Sequence, residues 1–295
     1  MKHYRPVSNL SFISKLTERV VSKQLLSHVE SCNLEIVYQS AYKQFHSTET
    51  ALLKVQSDIL NALDSNSVSL LVLLDLSAAF DTVDIGILLQ RLENRFRVSG
   101  NVLKWLQSYL ENRRQSVMIE SSQSESVLLK CGVPQGSVLG ALLSTLYTAP
   151  LGDISDMYHL KYHLYADDTQ LYLSFNPCSP MNENIALQNI SNCIAAIKKW
   201  MFDNKLQLND GKTDFIVIGK PKNRLKVQCE SLVVGNANVT KSDKVTNLGV
   251  TFDENMNVVS YMKMYVIQRI TISVFNKRGC RWFYSWFHIL SFRLL

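Results

Sequence analysis

Paired metal-binding cysteines are missing from this chain of 295 residues. Its six cysteines, at 32, 131, 178, 193, 229 and 280, include no Cys-x-x-Cys pair, and no histidine cluster stands at zinc-ligand spacing. A structural zinc is therefore not expected, and the thiols are expected to be reduced. Long apolar runs are missing too. Val68 to Leu74 and Trp282 to Phe292 are too short or too interrupted to span a bilayer. No apolar core follows Met1-Lys2-His3-Tyr4-Arg5-Pro6, so no signal peptide is expected and the location reads as intracellular, nucleus or cytoplasm undivided. Repeats and low-complexity tracts are absent.

What remains is globular in composition, 46% apolar and 19% charged, enough for one large domain or two small ones. The net charge of +6 suits a polyanionic partner and equally suits a solvated surface of mixed sign.

Residues 11–30 read as an amphipathic helix, with Phe12, Leu16, Val20 and Leu25 set against Lys15, Glu18, Arg19 and Lys23. A second helix starts near Ser47, where Ser47-Thr48-Glu49-Thr50 offers hydroxyl caps. Val68 to Leu74 reads as a strand buried on both faces, with Asp75 at its end. Helices follow at about 83–97 and 102–111, the latter capped by Asn101. Segments 116–120 and 127–131 read as a hairpin, Gly132-Val133-Pro134-Gln135-Gly136 as a loop, and about 137–147 as a helix. Residues 160–165 and 169–175 form a hairpin around Ala166-Asp167-Asp168. A long helix at about 183–203 and strands near 214–218, 232–234 and 246–252 complete an α+β pattern.

The acids carry the chemistry. Two adjacent carboxylates at a buried hairpin tip raise each other's proton affinity and call for a positive counterpart. Mg²⁺, or Mn²⁺, meets that need through oxygen ligands. On its own an acid pair in a turn reads as a solvated loop. Asp75, 92 residues before Asp167 but also at the end of an apolar strand, changes that balance. If the strands are neighbours, three carboxylates converge and suit a two-metal phosphoryl transfer.

Ordered motifs then become recognisable. Leu74-Asp75-Leu76-Ser77-Ala78-Ala79-Phe80-Asp81-Thr82-Val83-Asp84 resembles the first catalytic motif of reverse transcriptases from non-LTR (LINE-type) retrotransposons. Gly132 to Gly140 is similar to their template- and nucleotide-positioning motif, and Tyr165-Ala166-Asp167-Asp168 to their second catalytic motif. Leu206-Gln207-Leu208-Asn209 with Lys212-Thr213, and Asn247-Leu248-Gly249-Val250, resemble the motifs that close the palm. Tyr4 to Leu10 and Gln39-Ser40-Ala41-Tyr42-Lys43 with His46-Ser47-Thr48 resemble fingers motifs.

The resemblance implies a right-hand polymerase: fingers at 1–67, palm at 68–253, and a non-matching tail at 254–295 in place of a thumb, with a frameshift as the foremost account of its origin. It implies RNA-directed DNA synthesis with Mg²⁺ or Mn²⁺, an RNA template, a DNA primer and deoxynucleoside triphosphates. Asp75, Asp167 and Asp168 are the implied metal ligands, with the Leu76 carbonyl a further one and Lys212 a catalytic partner to the leaving pyrophosphate. Phe80, Gln135 and Gly136 fall at nucleotide positions, and Arg5, Lys15 and Lys43 are candidate phosphate contacts. Leu248 and Gly249 fall at the primer grip. Ordinary readings stand beside these: core packing for Phe80, a plain turn for Pro134-Gln135-Gly136, solvated surface for the lysines. Ala141 departs from the proline common at its position. An upstream endonuclease is not expected. A catalytically silent remnant that at most binds nucleic acid is the main alternative, and a group II intron maturase a more distant one.

Overall fold

Strand β1 (Val68–Leu74) organises the fold because six of its seven residues are buried, so both of its faces need cover. The computed structural model describes residues 7–77, 80–119, 122–234 and 237–256. Arg5 and most of the 254–295 tail, whose sequence resembles no motif of the family, lie outside the described residues.

Helices α1 (Phe12–Ser31) and α2 (Thr48–Asp64) precede β1, and the short β2 (Leu76–Ser77) follows it. Next come α3 (Ile85–Asn94), α4 (Gly100–Leu110), and the short strands β3 (Arg114–Gln115), β4 (Met118–Ile119), β5 (Ser122–Gln123) and β6 (Val127–Leu128). Helices α5 (Val138–Thr148) and α6 (Pro150–Met157) lead into the hairpin β7 (Lys161–Tyr165) and β8 (Asp168–Phe175). Helix α7 (Pro180–Asp203), β9 (Gln207–Leu208), a 3-10 turn (Asp210–Lys212), β10 (Asp214–Ile218) and α8 (Pro221–Arg224) come next. Two hairpins end the described chain, β11 (Ser231–Val234) with β12 (Ala237–Thr240), and β13 (Lys244–Asn247) with β14 (Val250–Asp253).

The principal sheet has the order β10-β1-β8-β7 and is antiparallel throughout. Alternation along β1 divides the core. Leu70, Val72 and Leu74 pack in the larger cluster with residues of α3, α5, α6 and α7. Leu71 faces the opposite way and packs with Leu52, Val55 and Ile59 of α2, Tyr172, Ile216, Ile218 and the β13–β14 hairpin. The α+β expectation holds, and the catalytic-motif strands are indeed neighbours.

Helix α2 starts at the expected capping box, in which Thr50 N–H donates to Ser47 Oγ and Ser47 N–H to Thr50 Oγ1. Helix α1 forms where expected but buries a different stripe. Glu18, Ser22, Leu25 and Val29 are buried, while Phe12 is 80% exposed and Leu16 and Val20 are also exposed. The reason is Glu18, whose Oε2 accepts the Val138 N–H at 2.8 Å and the Leu139 N–H at 3.3 Å. A carboxylate satisfying the free donors of the α5 N-terminus fixes which side of α1 turns inward.

Smaller corrections follow local geometry. Ser99, not Asn101, holds the N-cap position of α4, and Asn101 lies inside the helix. The 116–131 hairpin is split into two ladders, β3 with β6 and β4 with β5. The strand expected at 246–252 is a hairpin, because Leu248 and Gly249 both take positive φ, 47° and 80°, and reverse the chain in two residues.

Behind the sheet, Arg91 is a cross-link between helices. Its guanidinium lies 4.7 Å from the Tyr147 ring and 5.1 Å from the Trp200 ring, and it donates to Tyr147 O and Asn204 Oδ1. Tyr147 OH closes the group by donating to Asn204 O at 2.6 Å. Lysine keeps the charge but loses the planar fork and the ring stacking. Arg91→Lys is therefore expected to lower unfolding free energy by about 1–2 kcal/mol, read as a shift in urea midpoint at constant slope.

Candidate active site

The acids meet through strand register. Leu74 pairs with Thr169 across the β1–β8 ladder, so Asp75, next after β1, and Asp168, at the start of β8, lie at the same end of the sheet and line one cleft. On the other side of the hairpin Tyr165 pairs with Asp168, which leaves only Ala166 and Asp167 in the loop. Ala166 takes φ 55°, the left-handed value a two-residue hairpin needs and a non-glycine residue rarely adopts. Asp167 is thereby left in the loop at the tip. Its charge is felt by the Tyr42 hydroxyl, whose pKa is raised first by burial and then by Asp167.

Asp75 is partly buried and bound on two sides. Lys212 Nζ lies 3.1 Å from Asp75 Oδ2, and Asn209 Nδ2 donates to the same oxygen at 3.3 Å. The backbone fixes this geometry, since Asn209 N–H donates to Asp75 O at 2.9 Å and Leu76 pairs with Leu208. Among the described residues no group of three or more carboxylate, histidine or cysteine side chains is gathered as a ready ligand set. Asp75 takes a positive partner from Lys212, which offsets its charge. The donor set is nevertheless all oxygen and anionic, the chemistry a hard divalent ion takes, so these residues fit Mg²⁺ or Mn²⁺.

A cleft of about 360 Å³ opens beside the acids, lined among others by Asp75, Asp168, Gln170, Lys212, Asp214 and Leu248. It joins the catalytic motifs to the β13–β14 turn, so Leu248, at the expected primer grip, lies in the same cleft as Asp75. Asp214 and Gln170 were not singled out from sequence. Both pair with Leu73, one on each side of β1, and burial raises the pKa of Asp214. Only the register could reveal them.

The other expected residues lie around this centre. Phe80 is half-buried against the main core. Its carbonyl accepts the Val133 N–H at 2.8 Å, and Gly132 N–H donates to Val83 O at 2.8 Å, so the 132–136 loop is tied to the segment after Asp75. Gln135 lines a separate cleft of about 370 Å³ with Ser8, Asp81 and Arg113. Gly136, at φ 93°, has Ser8 and Val7 against it, and a Cβ there would come 3.1 Å from Val7 Cγ1. Lys43 is engaged by Glu35 at 3.1 Å. Lys15 sits in the first turn of α1 and is not among the residues lining the acid cleft. The five described cysteines are free thiols. Among the described residues no helix is long and apolar enough to cross a membrane.

An antiparallel sheet brings acids from two strands to one cleft, with a further acid in the turn between β7 and β8. The model of the family "Reverse transcriptase (RNA-dependent DNA polymerase)" matches residues 1–252. The chain belongs to the reverse transcriptase family, in its non-LTR (LINE-type) branch. It is 30% identical over 270 residues to the probable RNA-directed DNA polymerase from transposon BS of Drosophila melanogaster, covering 88% of this chain and 28% of that protein. It is 26% identical over 258 residues to the RNA-directed DNA polymerase from mobile element jockey of Drosophila funebris, covering 86% of this chain and 27% of that one. The chain thus spans less than a third of the curated relatives it matches. The structure of apo telomerase from Candida tropicalis shares the fold, with TM-score 0.57 and 12% identity over 81% of this chain and 40% of that one.

Proposed function

We propose that this chain carries the polymerising centre of an RNA-directed DNA polymerase, with residues 68–253 as palm and the preceding segment as fingers. The observation that supports the reading is the β1–β8 register that brings Asp75 and Asp168 to one end of the sheet, with Asp167 in the Ala166 turn, in a chain of this family. Reverse transcriptases use divalent metal ions. Mg²⁺ or Mn²⁺ held by Asp75, Asp167, Asp168 and the Leu76 carbonyl would neutralise charge on the reacting phosphate.

The reaction joins a primer 3′-hydroxyl to the α-phosphate of a deoxynucleoside triphosphate and releases pyrophosphate, copying an RNA template. The protein's part is positioning and electrostatics. Lys212, 66% exposed at its side chain and beside Asp75, is free to swing toward the leaving pyrophosphate and donate a proton or a charge to it. The Leu248–Gly249 turn supports the primer end across the cleft. Gln135 and Gly136 back the nucleotide and template. Lys43, Lys15 and Arg5 contribute phosphate contacts that carry no sequence readout, Lys43 after exchange from Glu35.

Phe80 packs under the incoming sugar and leaves no room for a 2′-hydroxyl. Phe80→Ala is expected to relax the preference for deoxynucleotides over ribonucleotides by roughly 10–200-fold, the range a volume change in an apolar pocket produces. Competing incorporation of the two nucleotide types at one template position measures it. An unchanged ratio in a folded variant would return Phe80 to ordinary core packing. The reading as a whole is tested by extending a DNA primer on an RNA template with deoxynucleotides and Mg²⁺. Template-dependent product is expected, whereas a silent remnant gives none.

A further inference from the structure

The turn that carries Asp167 is held from outside its own hairpin. Residues 38–40 lie along the free edge of β7 as a strap, with Leu164 N–H donating to Tyr38 O at 2.7 Å and Ser40 N–H donating to Leu164 O at 3.1 Å. Side chains repeat the attachment. The Tyr38 and Tyr162 rings meet edge to face at 5.2 Å, and Ser40 Oγ lies 2.9 Å from His163 Nε2. At the end of the strap Gln39 reaches past β7, and its Oε1 accepts the Ala166 N–H at 3.2 Å and the Ala41 N–H at 2.9 Å.

Gln39 is buried, only 5% exposed, and its Nε2 has no partner among the described residues. A buried amide donor without a partner is costly, so what the side chain contributes there comes through its oxygen. That oxygen acts at the one strained residue of the turn, Ala166 at φ 55°. A single acceptor thus joins the strap, through Ala41, to the backbone that sets the direction of Asp167.

We infer that Gln39 is a positioning residue for the Ala166–Asp167 turn, coupling the strap at 38–41 to the placement of the turn carboxylate. The inference rests on the catalytic reading of Asp75, Asp167 and Asp168 for its effect on rate, but not for its effect on the turn. Gln39→Met keeps the length and bulk of the side chain and removes the acceptor. Gln39→Glu keeps the acceptor.

Two measurements are made on the full chain. In primer extension, Gln39→Met is expected to lower kcat about tenfold or more, with KM for the nucleotide within about twofold, because misplacement of a reacting group acts on the chemical step. Amide hydrogen exchange at Ala166 is expected to accelerate about tenfold in Gln39→Met while core amides of β1 stay protected, and Gln39→Glu is expected to restore the protection. Unchanged exchange at Ala166 in Gln39→Met would overturn the inference. So would acceleration spread evenly over β1, which marks a merely structural role. If the wild-type chain extends no primer, the catalytic reading fails, and the exchange at Ala166 still decides for or against Gln39.

Discussion

Replacing Asp167 by asparagine is expected to remove templated primer extension, by roughly 10³-fold or more, in a protein that still folds. Asparagine has nearly the same volume and suits a turn, so the hairpin is preserved. What changes is charge. Asp167 precedes Asp168 on a loop of two residues, and its charge already acts on the Tyr42 hydroxyl. An amide at that point is a weaker ligand for a hard cation and offers nothing against the negative charge of a triphosphate. Asp75→Asn is expected to act as strongly, for a second reason. It also takes away the carboxylate that holds Lys212 at 3.1 Å. Extension on an RNA template, with folded fraction checked by thermal denaturation, measures both. Comparable product from wild type and Asp167→Asn would refute the catalytic assignment of the turn.

Stability is expected to fall by about 3 kcal/mol between pH 6.5 and pH 4, and His163 is the cause. Burial, then the nearby charges of Lys54 and His46, lower its pKa from 6.5 to about 4, against the opposing pull of Asp58. The unfolded chain therefore takes up a proton near 6.5 that the native chain refuses until about 4. With more protons bound to the unfolded state, unfolding free energy falls as pH falls through that window and levels off below it. The ring has little relief available, because Nε2 is taken by Ser40 Oγ at 2.9 Å and Nδ1 is buried without a partner among the described residues. His163→Asn is expected to flatten this dependence, seen in urea midpoints at pH 7 and pH 4.5. Parallel curves for wild type and variant would exclude His163 as the group responsible.

Both predictions depend on residues whose importance was legible to different degrees. The acids of the hairpin and Asp75 stood out as charges at the ends of apolar strands, and the motif order gave them roles. His163 did not stand out, since a histidine in a strand carries no mark of whether its ring is enclosed. Its environment is assembled by the strap at Ser40, by α2 and by β8. The same holds for Gln39, which lay inside a recognised motif but whose bond to Ala166 crosses 127 residues.

Local patterns carried far wherever the physics is local. The six apolar residues of β1, the hydroxyl cap before α2, the hairpin around Ala166 and Asp167, and the long α7 follow from side-chain periodicity and turn chemistry within a few residues, although the structure draws Asp168 into β8 and shortens the expected turn to two residues. They failed where a distant partner decides. Helix α1 has an apolar stripe at Phe12, Leu16 and Val20, but it turns Glu18 inward to satisfy the amide groups of α5. No window around residue 18 contains that information.

The acid site divides in the same way. The sequence by itself singled out which acids to propose as metal ligands, because Asp75, Asp167 and Asp168 stand at the ends of apolar strands within an ordered set of motifs. Only the tertiary structure decided how they are disposed: Asp75 and Asp168 lining one cleft, Asp167 in the two-residue turn, Lys212 and Asn209 on Asp75, and Gln170 and Asp214 in the same cleft. The physical reason is register. Pairing of β1 with β8 and β10 sums contacts along whole strands, and a shift of one residue would turn each of these side chains to the opposite face.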